Sequence, residues 1–267
     1  MMKKFMSDIQ PFRMCGNLYF VGSTKVSVHI IETSEGLVMI DTGFPDMYEQ
    51  ILDSMECLGL NPKDICAIFH SHGHLDHFGC TIKLKELSGA KTYISRIDNE
   101  IVNGNLDLSW AKECGFPDYE PFDCDVLIED GDVFEFGKTK IRCVLAPGHT
   151  EGVLAFFVNI EEEGKSYIAA MHGGMGLNSM TNKFLDEKGL TYECRDKFLK
   201  GLHTLTEEKV DVVMGNHPGQ NKTVDKLNAV LEGKSIVNPE EWKAFLLRNA
   251  DLSEKKFKEM DEEAGRK

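Results

Sequence analysis

The chain carries eight cysteines in 267 residues, yet no two of them stand in C-x-x-C spacing. That absence excludes a zinc knuckle and a thioredoxin-type redox pair. An excess of basic residues is also missing: 30 Lys+Arg against 44 Asp+Glu leave a formal net charge of −14. This balance argues against nucleic acid and anionic membranes as partners and leaves a small-molecule substrate as the expectation. No apolar run is long enough to cross a bilayer. In "MMKKFMSDIQPF" the apolar stretch that a signal peptide needs after Lys3 and Lys4 is broken by Ser7, Asp8, Gln10 and Pro11. As it stands, the sequence predicts a cytoplasmic protein, or a periplasmic or secreted one if a leader was removed. No G-x-S-x-G elbow is present, so no serine nucleophile is indicated.

What is there has the pattern of a globular α+β protein. "NLYFVGS", "KVSVHIIET" and "GLVMIDTG" read as strands of an antiparallel meander. Met47, Ile51, Met55 and Leu58 then recur at helical spacing, with Asn61-Pro62 as the expected stop. "DICAIFH" is a short buried strand, "TIKLKELSGA" a helix ended by Gly89, and "KTYIS" a strand with a short helix after it. Residues 103–125 read as a long loop whose Trp110, Phe116, Tyr119 and Phe122 suggest a partly apolar substrate face. Strands resume at "DVLIED", "DVFEFG", "TKIRCVLA", "VLAFFVNI" and "KSYIAAM", followed by a helix over 193–205 and the strand "VDVVMG". The segment 239–265 predicts one or two amphipathic helices. No linker-like shift divides the chain, so residues 1–267 are expected to form one domain, two sheets between layers of helices. Cysteines inside apolar runs, such as Cys66 and Cys143, read as small buried hydrophobes. Cys114 and Cys124 flank a loop and could pair in an oxidising compartment, but free thiols are the expectation.

The chemistry concentrates in "FHSHGHLDHFG", where four of the nine histidines lie within residues 70–77. His72, His74, Asp76 and His77 form H-x-H-x-D-H. On an extended segment His72 and His74 point to the same side and can share one metal. Asp76 and His77, adjacent at a turn or helix start, can face a second. Zinc accepts neutral imidazole and carboxylate at about 2.0–2.2 Å. Each half-site needs a further ligand, and His149 in "APGHTEG" and His217 in "GNHPGQ" both follow strands beside small residues. His29 and His203 read as an ordinary core or surface pair, and His70 as structural.

The H-x-H-x-D-H cluster, the "PGHT" histidine, the strand-end histidine and the early "MIDTG" occur in the order of the metallo-β-lactamase superfamily, which the chain resembles over roughly residues 15–265. Ser71 before the first ligand, "PGHTEG" and "NHPG" make it most similar to the third subclass, B3. The resemblance implies an αββα sandwich of two mixed sheets flanked by helices, with two zinc ions, or two other divalent metals, at the sheet edges. It implies that His72, His74 and His149 hold the first metal and Asp76, His77 and His217 the second. Asp41 would orient the cluster loop from behind the ligands.

The implied reaction is metal-assisted hydrolysis: two metals lower the pKa of a shared water, and the resulting hydroxide attacks a β-lactam or similar cyclic amide carbonyl, with Asp76 orienting it. Many superfamily hydrolases place a metal-bridging Asp after the strand "KSYIAAM", but here "HGGMG" puts His172 or Gly173 there. This departure sets the chain apart from glyoxalase-II-like thioesterases and lactonases, which remain the alternative. His172 is a candidate substrate contact or supporting residue. Serines expected nearby are missing, Ser179 being the nearest hydroxyl downstream. A di-iron protein of the same fold is a further alternative, although such proteins carry an acidic residue where His74 stands and a flavin domain.

Overall fold

Residues 6–265 are described by a computed structural model; Lys3 and Lys4, read above as a charged start, lie outside them. The first sheet is built from β1 (Phe12–Cys15), β2 (Leu18–Phe20), β3 (His29–Thr33), β4 (Gly36–Ile40), β5 (Ile65–Phe69), β6 (Lys91–Ser95) and β7 (Val126–Ile128), paired in chain order. Its first four strands form the expected antiparallel meander, and β4 to β7 run parallel. Parallel pairing needs crossovers, which are supplied by α1 (Tyr48–Cys57), by α2 (Leu75–Phe78) with α3 (Thr81–Ser88), and by α4 (Arg96–Val102) with the 103–125 loop.

The second sheet has the order β12-β11-β10-β9-β8, from β8 (Val133–Phe136), β9 (Thr139–Leu145), β10 (Leu154–Glu162), β11 (Lys165–His172) and β12 (Val212–Gly215). Only β11 and β12 are parallel in it. Between and after them lie α5 (Asn182–Lys188), α6 (Glu193–Leu205), α7 (Thr223–Leu231) and α8 (Glu241–Glu263). The tail is thus one helix, while α5 and α7 were not anticipated from periodicity. Helix α1 ends before Asn61-Pro62, because Gly59 adopts φ +75 just past the C-cap Leu58, a conformation that costs glycine least. Pro62 instead opens a short 3-10 turn.

Strand alternation shows why near-continuous apolar runs were needed. Leu154, Phe156, Val158 and Ile160 of β10 point into the core between the sheets, and Ala155 and Phe157 point outward against α6 and α8. On the first sheet Val38 and Ile40 face inward, while Leu37 and Met39 pack outward with Ile51, Met55 and Leu84 of α1 and α3. Both sheets are therefore covered on both faces, the expected αββα sandwich. Phe69 joins the layers, stacked on Tyr93 at 4.3 Å and edge-on to Phe156 at 6.0 Å. Such pairs add about 0.5–1.5 kcal/mol each beyond burial, so the end of β5 is firmly held where the histidine cluster begins. The loops after β4, β5, β9, β11 and β12 all gather at one edge of the sandwich, which is where the strand-end residues Asp41, His72, His149 and His217 come together.

Candidate metal centre

After Phe69 the chain leaves the sheet and crosses to α2, with His74 extended at its N-cap (φ −89, ψ 144). Two buried carboxylates shape this crossing. Asp41, at φ 59, accepts from the Ser71 amide (2.7 Å), the Ser71 hydroxyl (2.8 Å) and His77 Nδ1–H (2.7 Å). Asp98, at the start of α4, accepts from the Gly73 amide (2.8 Å), the Gly152 amide (2.9 Å) and the Thr150 hydroxyl. It thereby ties the His72–His74 loop to the loop carrying His149. Burial pushes its carboxyl up to about 6, against those hydrogen bonds. Gly73 permits the crossing, since a Cβ there would lie 2.9 Å from the Ile101 Cβ. Asp98 was not found from the sequence, although "SRID" carried a signal: Ser95 Oγ accepts from the Asp98 amide in the S-x-x-D capping pattern.

Five of the six residues named from the sequence fall into two groups that could hold a metal ion, and His217 lies beside the second, outside both. The His72, His74 and His149 rings lie 4.5–4.7 Å apart, and one nitrogen from each falls within 4.8 Å of the others. A second such group joins His72, Asp76 and His77. Asp76 Oδ2 is 3.3 Å from His77 Nε2 and 3.6 Å from His217 Nε2, so His217 enters through the carboxylate as the outermost member.

This donor set fits metal ions. His149 Nδ1–H donates to the Gly176 carbonyl (2.8 Å) and His217 Nδ1–H to that of Lys25 (2.7 Å). A carbonyl only accepts, so each ring carries its proton on Nδ1 and keeps Nε2 as a lone pair. His72 Nδ1 is bonded to Ser71 Oγ (3.0 Å) and His77 Nδ1 to Asp41; His72 Nε2 is buried without a hydrogen-bond partner, and His77 Nε2 faces the Asp76 carboxylate at 3.3 Å. Buried polar atoms without partners are expensive, and outward-anchored rings with inward free nitrogens are how metal-ligating histidines are held. Burial holds His72 and His74 well below the usual imidazole range, His149 at about 4 and His217 below its ordinary value. They are neutral, as ligation requires. Burial alone would also lower His77, but the Asp76 and Asp41 carboxylates outweigh it and raise it to about 10. Burial would raise Asp76, yet His77, His217 and His74 hold its carboxyl well below the usual range.

His70 is structural, as expected: Nδ1–H donates to the Tyr93 carbonyl (2.9 Å), and Nε2 shares a hydrogen bond with Thr81 Oγ1 (2.7 Å). His172 ends β11, buried, with its ring edge-on to Phe198 at 6.0 Å and outside both ligand groups. Burial takes it down to about 3. The glycines after it serve His149: a Cβ on Gly174 would lie 2.9 Å from the His149 Cβ, and Gly176 supplies the carbonyl its ring needs. Ser179 braces the same residue, its hydroxyl donating to the His149 carbonyl. The 103–125 loop behaves differently from expectation. Phe116 packs toward Phe44, and Tyr119 and Phe122 toward Phe78, because burying rings on that cluster is favourable. Phe122 also packs on His70 at 6.2 Å, and Trp110 lies 6.0 Å from His74 and is stacked at 5.1 Å on Phe184. The eight cysteines, Cys114 and Cys124 among them, are free thiols.

Residues 21–162 match the family described as the metallo-beta-lactamase superfamily. Among curated proteins, the chain is 32% identical over 154 residues to an uncharacterized protein of Aquifex aeolicus, covering 56% of this chain and 66% of that one. It is 32% identical over 107 residues to a hydroxyacylglutathione hydrolase of Gloeobacter violaceus (40% and 34% covered). It is 25% identical over 174 residues to an N-acyl homoserine lactonase of Bacillus cereus (56% and 63%). The chain thus spans between about a third and two thirds of the length of these relatives. Among solved structures its fold is similar to BJP-1, a subclass B3 metallo-beta-lactamase of Bradyrhizobium japonicum, with TM-score 0.85 and 22% identity over 98% of this chain and 99% of that one. Native FEZ-1 metallo-beta-lactamase from Legionella gormanii has TM-score 0.85 and 23% identity over 97% and 99%.

Proposed function

Because this chain belongs to the metallo-beta-lactamase superfamily, we propose that it is a dinuclear zinc-dependent hydrolase acting on a β-lactam or a similar cyclic amide. His72, His74 and His149 hold the first metal in this reading, and Asp76, His77 and His217 the second. The carrying observation is the set of outward anchors: the His72, His77, His149 and His217 rings are each bonded through Nδ1, and His72 Nε2 is buried and unpartnered. Zinc bound there supplies Lewis-acid polarisation of a carbonyl and a water of lowered pKa. The chain's own residues do the orienting. In this reading Asp41 anchors His77 through Nδ1–H and turns its Nε2 toward the second metal, and Asp98 holds both histidine loops in register. Asp76, whose Oδ2 is flanked by His77 and His217, would orient the attacking water in this reading. "HGGMG" offers no carboxylate at His172 or Gly173, which supports a site without a bridging Asp. Residues 1–267 act as one unit in this reading. Among the described residues no helix is long and apolar enough to cross a membrane.

A second reading, hydrolysis of a lactone or thioester, is favoured by a largely apolar cavity that His74 and His149 help line. The names of the hydroxyacylglutathione hydrolase and lactonase relatives agree with it. Zinc-loaded enzyme and an EDTA-treated control should be assayed side by side with a penicillin, nitrocefin, a carbapenem, an acyl-homoserine lactone and a glutathione thioester. Zinc-dependent turnover of the β-lactams supports the first reading, and turnover of the lactone or thioester alone supports the second. Equal rates with and without EDTA would remove both.

A further inference from the structure

We propose that Ser27, His29 and Asn216 enclose a site for internal water between the two sheets, and that this water fixes the loop carrying His217. The water site stands on orphaned polar groups alone, and the part His217 plays as a ligand rests on the hydrolase reading. Each of the three residues is 1% exposed. Ser27 Oγ, both ring nitrogens of His29 and Asn216 Oδ1 are buried without a hydrogen-bond partner from the protein. Four such atoms on three residues are costly unless water meets them.

Strand alternation brings these groups together. Val26, Val28 and Ile30 pack on the outer face of the first sheet with Ile51 and Met55. Ser27 and His29 therefore turn to the opposite face, toward the core between the sheets. Two residues apart on an extended chain, they stand roughly 6–7 Å from each other. That is too far for one hydrogen bond, but a water making two bonds of about 2.8–2.9 Å spans it. The Ser27 amide donates to the Asn216 carbonyl (3.0 Å), which holds the end of β12 against this face. Asn216 Nδ2 donates to the Gly173 carbonyl (2.7 Å), so its amide orientation is set and Oδ1 is left as an acceptor. Burial takes His29 down to about 4, and the neutral ring offers one N–H and one lone pair. Ser27 adds a hydroxyl. Donors and acceptors thus face one space, which water satisfies and an ion, meeting only one kind, does not.

Its place in the fold gives this site a role. The Lys25 carbonyl, two residues before Ser27, accepts His217 Nδ1–H (2.7 Å). Residues 25–27 therefore grip both Asn216 and His217, and the water behind them sets how that segment lies. His29 is a positioning residue, acting on His217 through water and chain.

The test has two arms on the full chain. A high-resolution crystal structure should show ordered water within about 2.7–3.2 Å of a His29 nitrogen and of Ser27 Oγ or Asn216 Oδ1. A dry space there, or a His29 ring turned onto a protein partner, overturns the site. In the second arm His29→Leu removes the polar ring atoms, and His29→Gln returns a donor and an acceptor. Ring-nitrogen NMR of the metal-free protein should show His217 protonated on Nδ1 in the wild type and in His29→Gln, and mixed tautomers in His29→Leu. Chelator competition should find the second zinc loosened roughly 3–10-fold in His29→Leu alone, less than the loss of a direct orienting partner. The first zinc, held as in the wild type, is the control for an intact fold. Ser27→Ala, a smaller change, supplies the same comparison should His29→Leu not fold. A His217 spectrum that no variant alters overturns the positioning role, even with water present. If no second zinc binds to any of these proteins, the dinuclear reading falls, while the crystal structure and the His217 spectrum still decide the inference.

Discussion

Replacing Asp41 by Asn probes how the proposed second metal position is prepared. Asp41 is 1% exposed, and its Oδ2 accepts both the Ser71 hydroxyl and His77 Nδ1–H. Asn keeps the shape, tolerates the φ of 59, and can still accept the Ser71 amide through Oδ1. Its NH2 group, however, stands where Oδ2 stood. The Ser71 hydroxyl can rotate and accept, whereas His77 must move its proton from Nδ1 to Nε2 to avoid opposing donors. A protonated Nε2 cannot ligate. Loss of such an orienting partner lowers metal affinity about 10–100-fold, or ~1.4–2.8 kcal/mol, comparable to the ~1.5–3 kcal/mol of a hydrogen bond to a charged group. Chelator competition followed by metal analysis of the dialysed protein should therefore show one zinc held as in the wild type and the second weakened by that factor. Two zincs bound with unchanged affinity would refute the reasoning.

The raised pKa of His77 predicts that zinc uptake by the metal-free protein at pH 7 releases a proton from this ring, measurable by calorimetry in buffers of different ionisation enthalpy. In the metal-free state the pairing of His77 with Asp76 and Asp41 contributes stability that is complete below pH 6.5 and lost as pH rises through about 10. Ring nitrogen shifts at pH 8 should accordingly show an imidazolium at His77 and neutral rings at His149 and His217; a neutral His77 there contradicts the electrostatic account. His70→Ala removes the ring's hydrogen bonds to the Tyr93 carbonyl and Thr81 hydroxyl, which keep the residue-70 amide and Thr42 as partners, and leaves a cavity; it should lower unfolding stability by about 2–4 kcal/mol while leaving the metal content unchanged. Trp110→Ala removes the stack on Phe184 and should raise KM about 2–10-fold, the equivalent of one aromatic pair, with a smaller change in kcat; steady-state kinetics on the best substrate decides it.

The spacing of His72, His74, Asp76 and His77 was legible because neighbours in the chain are placed by covalent geometry, whatever the fold around them. The same holds for the apolar alternation of β10, which needed only a period of two, and for the stop of α3 at Gly89, whose φ of 74 is a property of one residue. The end of α1 and the short helices α5 and α7 escaped because their apolar patterns are brief and Gly59 competes with Pro62 as a stop. In the loop over 103–125 composition showed four aromatics, yet their destinations depend on Phe78, Phe44 and Phe184, which lie elsewhere in the chain.

From the sequence came the sandwich, six candidate ligands, and the reading of Asp41 as their support. Tertiary structure alone decided which nitrogen of His149 and of His217 is free, since that depends on carbonyls of Gly176 and Lys25 brought in from distant loops. It also decided the bracing by Asp98, the withdrawal of His172 toward Phe198, and the largely apolar cavity beside His74. The physical reason is common to all of these. Any residue can offer a backbone carbonyl or a patch of wall, so such contacts leave no mark in residue type or spacing. They exist only where the two sheet edges meet.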